Sequence, residues 1–258
     1  MLKLDTTISN QSLQSFFPKG PFNPHPTHLQ PKPASSYALA GSDADLSRFS
    51  HVPTSTSAFT DTKVVSNALS PDSKASAIAN ASAIFIGGSN VPVGQTNGET
   101  EALSIADGNG LGYAASAIAR TEVKGLDFYI KPKETFSFNF TGNMSLVAQG
   151  SNRRQQSYAQ GRTIYQIYGT NACGRQTLLD RLIIEGRQYS SGLGVAGAMF
   201  SKGFKLNVQS QPVSFASNEL SFNGTYSRTF NSAMRITVVE TQQTNAQVQF
   251  APKGKRFK

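Results

Sequence analysis

From about residue 71 onward, apolar and polar side chains alternate along the chain with a period of two. In residues 134–142, Phe136, Phe138 and Phe140 fall on one side and Ser137, Asn139 and Thr141 on the other. That is the pattern of an antiparallel strand with one buried and one solvated face. Residues 144–148, 162–168, 178–185, 204–210, 220–230 and 234–240 repeat the pattern, separated by Gly, Asn and Ser turns. Two Ala/Ser-rich stretches, 75–86 and 115–120, share the pentapeptide Ala-Ser-Ala-Ile-Ala. Periodicity alone allows helix or strand there, and the glycines at 87, 88, 108, 110 and 112 favour strand. The expected fold is therefore all-β, an antiparallel β-sandwich or jelly roll over residues 71–250.

The preceding 70 residues read differently. Seven of the 12 prolines fall between Pro18 and Pro53. Proline lacks a backbone donor and fixes φ, so the stretch from Phe16 to Pro26 is excluded from helices and central strands. It reads as polyproline II and turns, followed by Ser/Thr-rich chain. Residues 1–70 are expected to form an extended Pro/Ser-rich N-terminal arm, with Phe16, Phe17, Phe22, Tyr37 and Phe49 as anchors for pockets on a partner. Because the alternating strands lie beyond it, its removal is expected to leave the β domain folded. Residues 251–258 form a basic tail.

The 258 residues include 24 Lys+Arg against 15 Asp+Glu, a net charge of +9. The excess is C-terminal: residues 131–258 carry 16 basic and 5 acidic side chains, whereas residues 81–130 carry 2 and 5. Such a field favours acidic protein surfaces, nucleic-acid backbone or anionic headgroups. Arg153 and Arg154, with Lys253, Lys255 and Arg256, are the densest clusters and the candidate docking residues. A single cysteine, Cys173, excludes disulfide scaffolds and thiolate zinc clusters. No apolar run approaches a membrane span, and no secretory leader is visible in the first residues, so the expected location is the cytoplasm.

Catalytic patterns are weak. Gly192, Gly194 and Gly197 match GxGxxG, but a dinucleotide site needs that motif between a strand and a helix, and the residues that follow read as strand. His25 and His28 make half a metal site with nothing to complete it, and Cys173 has no histidine near it in sequence. Bilin attachment at Cys173 is a minor alternative to an ordinary thiol. No enzyme activity and no cofactor is expected.

The order of an Ala/Ser-alternating strand, the stretch 134–146, the polar turn 151–159, the strand 162–168 and the segment 178–186 resembles the β-sandwich module of cyanobacterial surface proteins with PEP-CTERM sorting signals. The likeness covers about residues 75–240. It implies a noncatalytic sandwich, here without the family's signal peptide and sorting helix, reused inside the cell. Three functions follow in order of preference. The first is a linker or scaffold that docks its basic sandwich and extended arm on acidic proteins, such as the phycobiliproteins of a phycobilisome, which the resemblance would place on the cytoplasmic face of a photosynthetic membrane. The second is a surface or filament subunit joined by strand addition, and the third a coat or nucleic-acid-associated protein.

Overall fold

The alternation becomes twelve strands in a computed structural model, which describes residues 35–110, 112–151, 155–214 and 216–250. They are β1 (Ser35–Ser47), β2 (Ser55–Ala68), β3 (Lys74–Ile86), β4 (Asn97–Asn109), β5 (Tyr113–Ile130), β6 (Thr135–Gly150), β7 (Gln155–Thr170), β8 (Gln176–Tyr189), β9 (Gly194–Phe200), β10 (Phe204–Ser214), β11 (Ser217–Thr229) and β12 (Met234–Phe250). Among the described residues the only helical element is a 3₁₀ turn at Val93–Gln95. Sheet A has the order β10-β11-β6-β1-β4-β3 and sheet B the order β2-β5-β12-β7-β8-β9. The pairs within both are antiparallel.

The two sheets pack face to face through the inward half of each alternation. The expected Phe136, Phe138 and Phe140 row of β6 is fully inward, at 0%, 1% and 0% exposure. It meets Phe49, Phe128, Tyr165, Phe204 and Tyr226 in one aromatic core. Phe140 crosses to Tyr165 of sheet B at a centroid distance of 4.9 Å, and Phe49 stacks on Phe128 at 5.3 Å and Phe138 at 5.2 Å. Each buried aromatic contributes about 1.5–3 kcal/mol by burial, and each tilted or stacked pair about 0.5–1.5 kcal/mol more. Toward the other end the inner faces turn small: Ala38, Ala106, Ala115 and Ala246 pack with Tyr113, Val248 and Phe250. There the Tyr113 ring lies against Gly108, where a Cβ would sit 2.0 Å from a ring carbon.

The structure moves the expected domain boundary. Residues 35–68 are not arm but β1 and β2, and β1 lies inside sheet A, bonded to β4 on one side and β6 on the other. Its inward residues, Ala38, Ala40, Ser42 and Ala44, are too small to give an apolar signal in the sequence, yet all are buried because the sheets approach closely there. Tyr37 and Phe49, expected as partner anchors, are buried at 7% and 2% exposure in the chain's own fold. The basic tail and residues 1–34 lie outside the described residues. The predicted strands 134–142 and 144–148 form one strand, β6.

Two outcomes test this architecture. A chain lacking residues 1–70 loses both strands and is expected to show no cooperative urea transition by circular dichroism. In the full chain, Phe138→Ala is expected to cost about 3–5 kcal/mol, and the outward-facing Asn139→Ala within about 0.5 kcal/mol of zero, by the same measurement.

Candidate docking surface

Strand pairing carries every outward side chain of sheet B into rows that run across the sheet. Arg120 of β5 aligns with Gln243 of β12, Arg162 of β7 and Glu185 of β8. Lys63 of β2 sits in the row of Ile118, Asn245, Gln160 and Arg187. Lys124 shares a row with Val239, Gln166 and Arg181. Cations outnumber the carboxylates Asp61, Glu122 and Glu185 on this face. Glu122 is shared by Arg120 at 3.2 Å and Lys124 at 2.7 Å. Glu185 is shared by Arg162 at 3.9 Å and Arg187, whose guanidinium is raised above its ordinary pKa by that carboxylate. Asp61 lies directly across from Arg120, so the positive excess belongs to the face as a whole, where Lys63, Arg120, Lys124, Arg162, Arg181 and Arg187 face three carboxylates.

The outer face of sheet A has the opposite sign. Asp43 pairs with Glu101 and Asp45 with Glu99 across β1 and β4, which places four carboxylates side by side. Burial, then repulsion from Asp45 and Glu99, pushes the Asp43 carboxyl up to about 6, against a hydrogen bond from Asn143 at 3.1 Å. Burial and the same neighbours raise Glu101. Among the described residues no group of three or more His, Cys, Asp or Glu has a metal-holding arrangement.

Between the sheets, the aromatic and small-residue regions are separated by a polar layer. The Thr100 hydroxyl donates to Glu240 Oε1 at 2.6 Å, Ser104 meets Thr244 at 2.8 Å, and Ser42 meets Thr163 at 3.4 Å. Glu240 is fully buried, and desolvation pushes its carboxyl up to about 8, against the Thr100 bond. Among the described residues, its Oε2, the Tyr165 hydroxyl and both amide atoms of Gln242 have no hydrogen-bond partner. A carboxyl closed off from solvent touches no substrate, so its perturbation is a matter of stability. A second cross-sheet link joins Asp180 of β8 to the Tyr226 hydroxyl at 2.9 Å and Arg228 at 2.8 Å, both on β11.

A groove of about 1260 Å³ crosses one end of the outer face of sheet B. Val65, Ser116, Gln247, Tyr158 and Tyr189 form one row of its floor, and Asn67, Ala114, Gln249 and Gln156 the next. The Tyr158 and Tyr189 rings lie 5.1 Å apart, and Gln249 Nε2 donates to Gln156 Oε1 at 2.7 Å. Among the described residues, no charged one lines it.

Of the expected docking residues, Phe16, Phe17, Phe22, Arg153, Arg154, Lys253, Lys255 and Arg256 lie outside the described residues. The GxGxxG glycines fall on the β8–β9 turn and the start of β9, with Gly192 at φ 83° and a strand following. Cys173 is exposed in the β7–β8 turn, its N–H donating to Asn171 Oδ1 at 3.0 Å. The acidic quartet and the tyrosine groove escaped the sequence reading. The Arg120, Glu122, Lys124 alternation on β5 was the one local signal for the basic face.

No helix among the described residues is long and apolar enough to cross a membrane. No protein family, no curated protein and no solved structure matches this chain.

The buried acids set a pH dependence. Their folded pKa values lie above the unfolded ones, so the native state binds more protons, and stability is greatest at low pH and falls as pH rises through those values. For Glu240 the fall runs from about 4.5 to about 8, and for Asp43 from about 3.8 to about 6. Glu240→Gln is expected to flatten the upper part of the decline and to exceed the parent at pH 8.5 by on the order of 2 kcal/mol, as read by urea unfolding across pH 5–8.5.

Proposed function

We propose that the chain is a noncatalytic structural module that docks on an acidic protein surface through the outer face of sheet B. The observation that carries this reading is the convergence of Lys63, Arg120, Lys124, Arg162, Arg181 and Arg187 from four strands onto one face, where they outnumber Asp61, Glu122 and Glu185. A broad, rigid, positive sheet supports steering toward an acidic partner and register upon it, without a bond-making step. The cyanobacterial resemblance adds a phycobilisome as the acidic assembly, with this chain as a linker on the cytoplasmic side. The sequence clusters at Arg153, Arg154, Lys253, Lys255 and Arg256 remain docking candidates in this reading.

One observation favours the second reading, assembly by strand addition. Edge strand β9 carries no charged side chain, and Val195, Met199 and Phe200 on it, with Leu193 in the preceding turn, are exposed at 62%, 69%, 51% and 68%. An uncharged edge with free backbone groups is a template for another strand.

Replacing Arg120, Arg162 and Arg187 with Gln together is expected to weaken association with the acidic partner by tenfold or more in a pull-down or titration, and raised salt to do the same to the parent. Thermal stability is expected to change little, because exposed charges contribute little to folding. Glu99→Gln, on the opposite face, is the control that should leave association intact. Association lost through Val195→Lys on β9, and unchanged by the arginine substitutions, would favour strand addition instead.

A further inference from the structure

Four strands end the two sheets, and among the described residues three of them are protected at the free edge. β10 carries Lys205, Pro212 and a register shift between Pro212 and Ser214. β2 carries Asp61 and Lys63, and it meets β3 at a corner of the sandwich. There the Thr56 hydroxyl donates to the Phe85 carbonyl at 3.3 Å, and a Cβ on Gly87 would sit 2.8 Å from the Pro53 ring. Charge, proline and a covered corner are the ordinary protections against pairing with another chain. β9, with the sequence Gly-Val-Ala-Gly-Ala-Met-Phe, has none of them.

The hydrogen-bond phase of β9 is set at its two ends. The Tyr189 N–H donates to Leu193 O and the Ser201 N–H to Arg181 O, each at 3.0 Å. Alternate residues of an antiparallel strand bond the same neighbour, so Val195, Gly197 and Met199 bond β8. Gly194, Ala196, Ala198 and Phe200 therefore aim their N–H and C=O groups at the open edge. The side chains alternate as well. Val195, Gly197 and Met199 lie on the outer face, in the rows of Arg187, Glu185 and Ile183. Phe200 pairs with the buried Leu182 and is still 51% exposed, because β9 is the last strand of sheet B and leaves one side of the ring uncovered.

The strand is also its own complement. Turned end for end about Gly197, it sets Ala196 against Ala198, Val195 against Met199 and Gly194 against Phe200. Each pair joins residues of one face, and the largest side chain meets a residue that has none. The residues with open backbone groups oppose one another in this register, which gives about eight backbone hydrogen bonds against roughly ten in a typical interface. Charge does not oppose it. The ionised groups brought into one row are Glu185 and its mate, three strand spacings or about 14 Å apart, beyond the screening length of about 8 Å.

We propose that β9 is a dimerisation edge: β9 of a second copy adds antiparallel, centred on Gly197, and joins the two B sheets into one continuous sheet. The inference rests on the edge of the strand-addition reading and names the chain itself as the partner. The two-fold axis stands perpendicular to the sheet, so both outer faces look the same way and the basic surface proposed for docking is doubled. A two-fold contact consumes the edge on both copies, so assembly closes at two chains instead of growing into a filament.

The test uses the full-length protein with Cys173→Ser, which leaves no other cysteine. Sedimentation from micromolar to millimolar concentration is expected to show monomer passing to dimer and nothing larger. Gly197→Cys puts a thiol where a Cβ meets nothing within 4 Å. In the proposed register the two copies' Cα atoms at that position stand about 4.5 Å apart, within disulfide reach. Mild oxidation is expected to give covalent dimer in at least tenfold the yield of Val195→Cys or Met199→Cys alone, and a mixture of those two variants to recover it. Ala198→Pro removes an N–H aimed at the edge and is expected to weaken the dimer at least tenfold with unchanged circular dichroism. A chain monomeric at every concentration, a dimer indifferent to Ala198→Pro, species beyond the dimer, or Val195→Cys crosslinking as well as Gly197→Cys would overturn the assignment. Replacing Arg120, Arg162 and Arg187 with Gln is expected to leave the dimer intact while weakening association with an acidic partner, so the two readings fail separately.

Discussion

The two-residue repeat of the pleated strand, held in register across two six-stranded sheets, is the constraint on which this protein depends. Because successive side chains point to opposite faces, one register gives every strand both an inner and an outer identity, and a slip of a single residue would exchange them. On β6 the repeat sends Phe136, Phe138 and Phe140 into the core and Ser137, Asn139 and Thr141 outward. On β1 it buries Ala40, Ser42 and Ala44 while turning Asp43 and Asp45 toward the outer face. Core, charged faces and groove are consequences of the same pairing.

The interior is graded along the strands. The aromatic end supplies most of the apolar burial, and the alanine-rich end allows close approach of the sheets around Gly108 and Tyr113. Between them lie Glu240, Gln242, Thr100, Thr163 and Ser104. Unpartnered polar groups in such a place cost stability and are tolerated only because the surrounding pairing determines the structure. A neutral Glu240 reduces that cost, which is why its carboxyl holds its proton well above the usual range. The same reasoning separates this acid from catalysis, since a perturbed carboxyl matters chemically only where a substrate can reach it.

How much of this could be read from the sequence depended on side-chain size and on distance along the chain. The phenylalanine alternation of β6 announced a strand, and so did the Leu/Ile pattern of β8. By contrast, the inward residues of β1 and β4 are mostly Ala, Ser, Gly and Thr, whose burial produces almost no hydropathy signal, and β2 has no buried residue, so residues 35–68 read as arm. The charged faces were illegible for another reason. Asp43 meets Glu101, and Arg120 joins the row of Arg162, only through pairing between distant segments. Counting charge by stretch therefore placed the basic surface in the C-terminal half, whereas in the fold Lys63 and Arg120 belong to it too. The groove draws its floor from five strands, and no local motif marks it.

The central claim is that β1 is an interior strand of sheet A and fixes the register of its neighbours. Amide hydrogen exchange of the full-length protein, read by mass spectrometry, tests it most directly, because exchange reports the free energy of opening each segment. Residues 36–46 are expected to be as slowly exchanging as residues 136–146 of β6 and 238–248 of β12. Exchange of residues 36–46 at the rate of unprotected chain, with β6 and β12 still protected, would contradict the account.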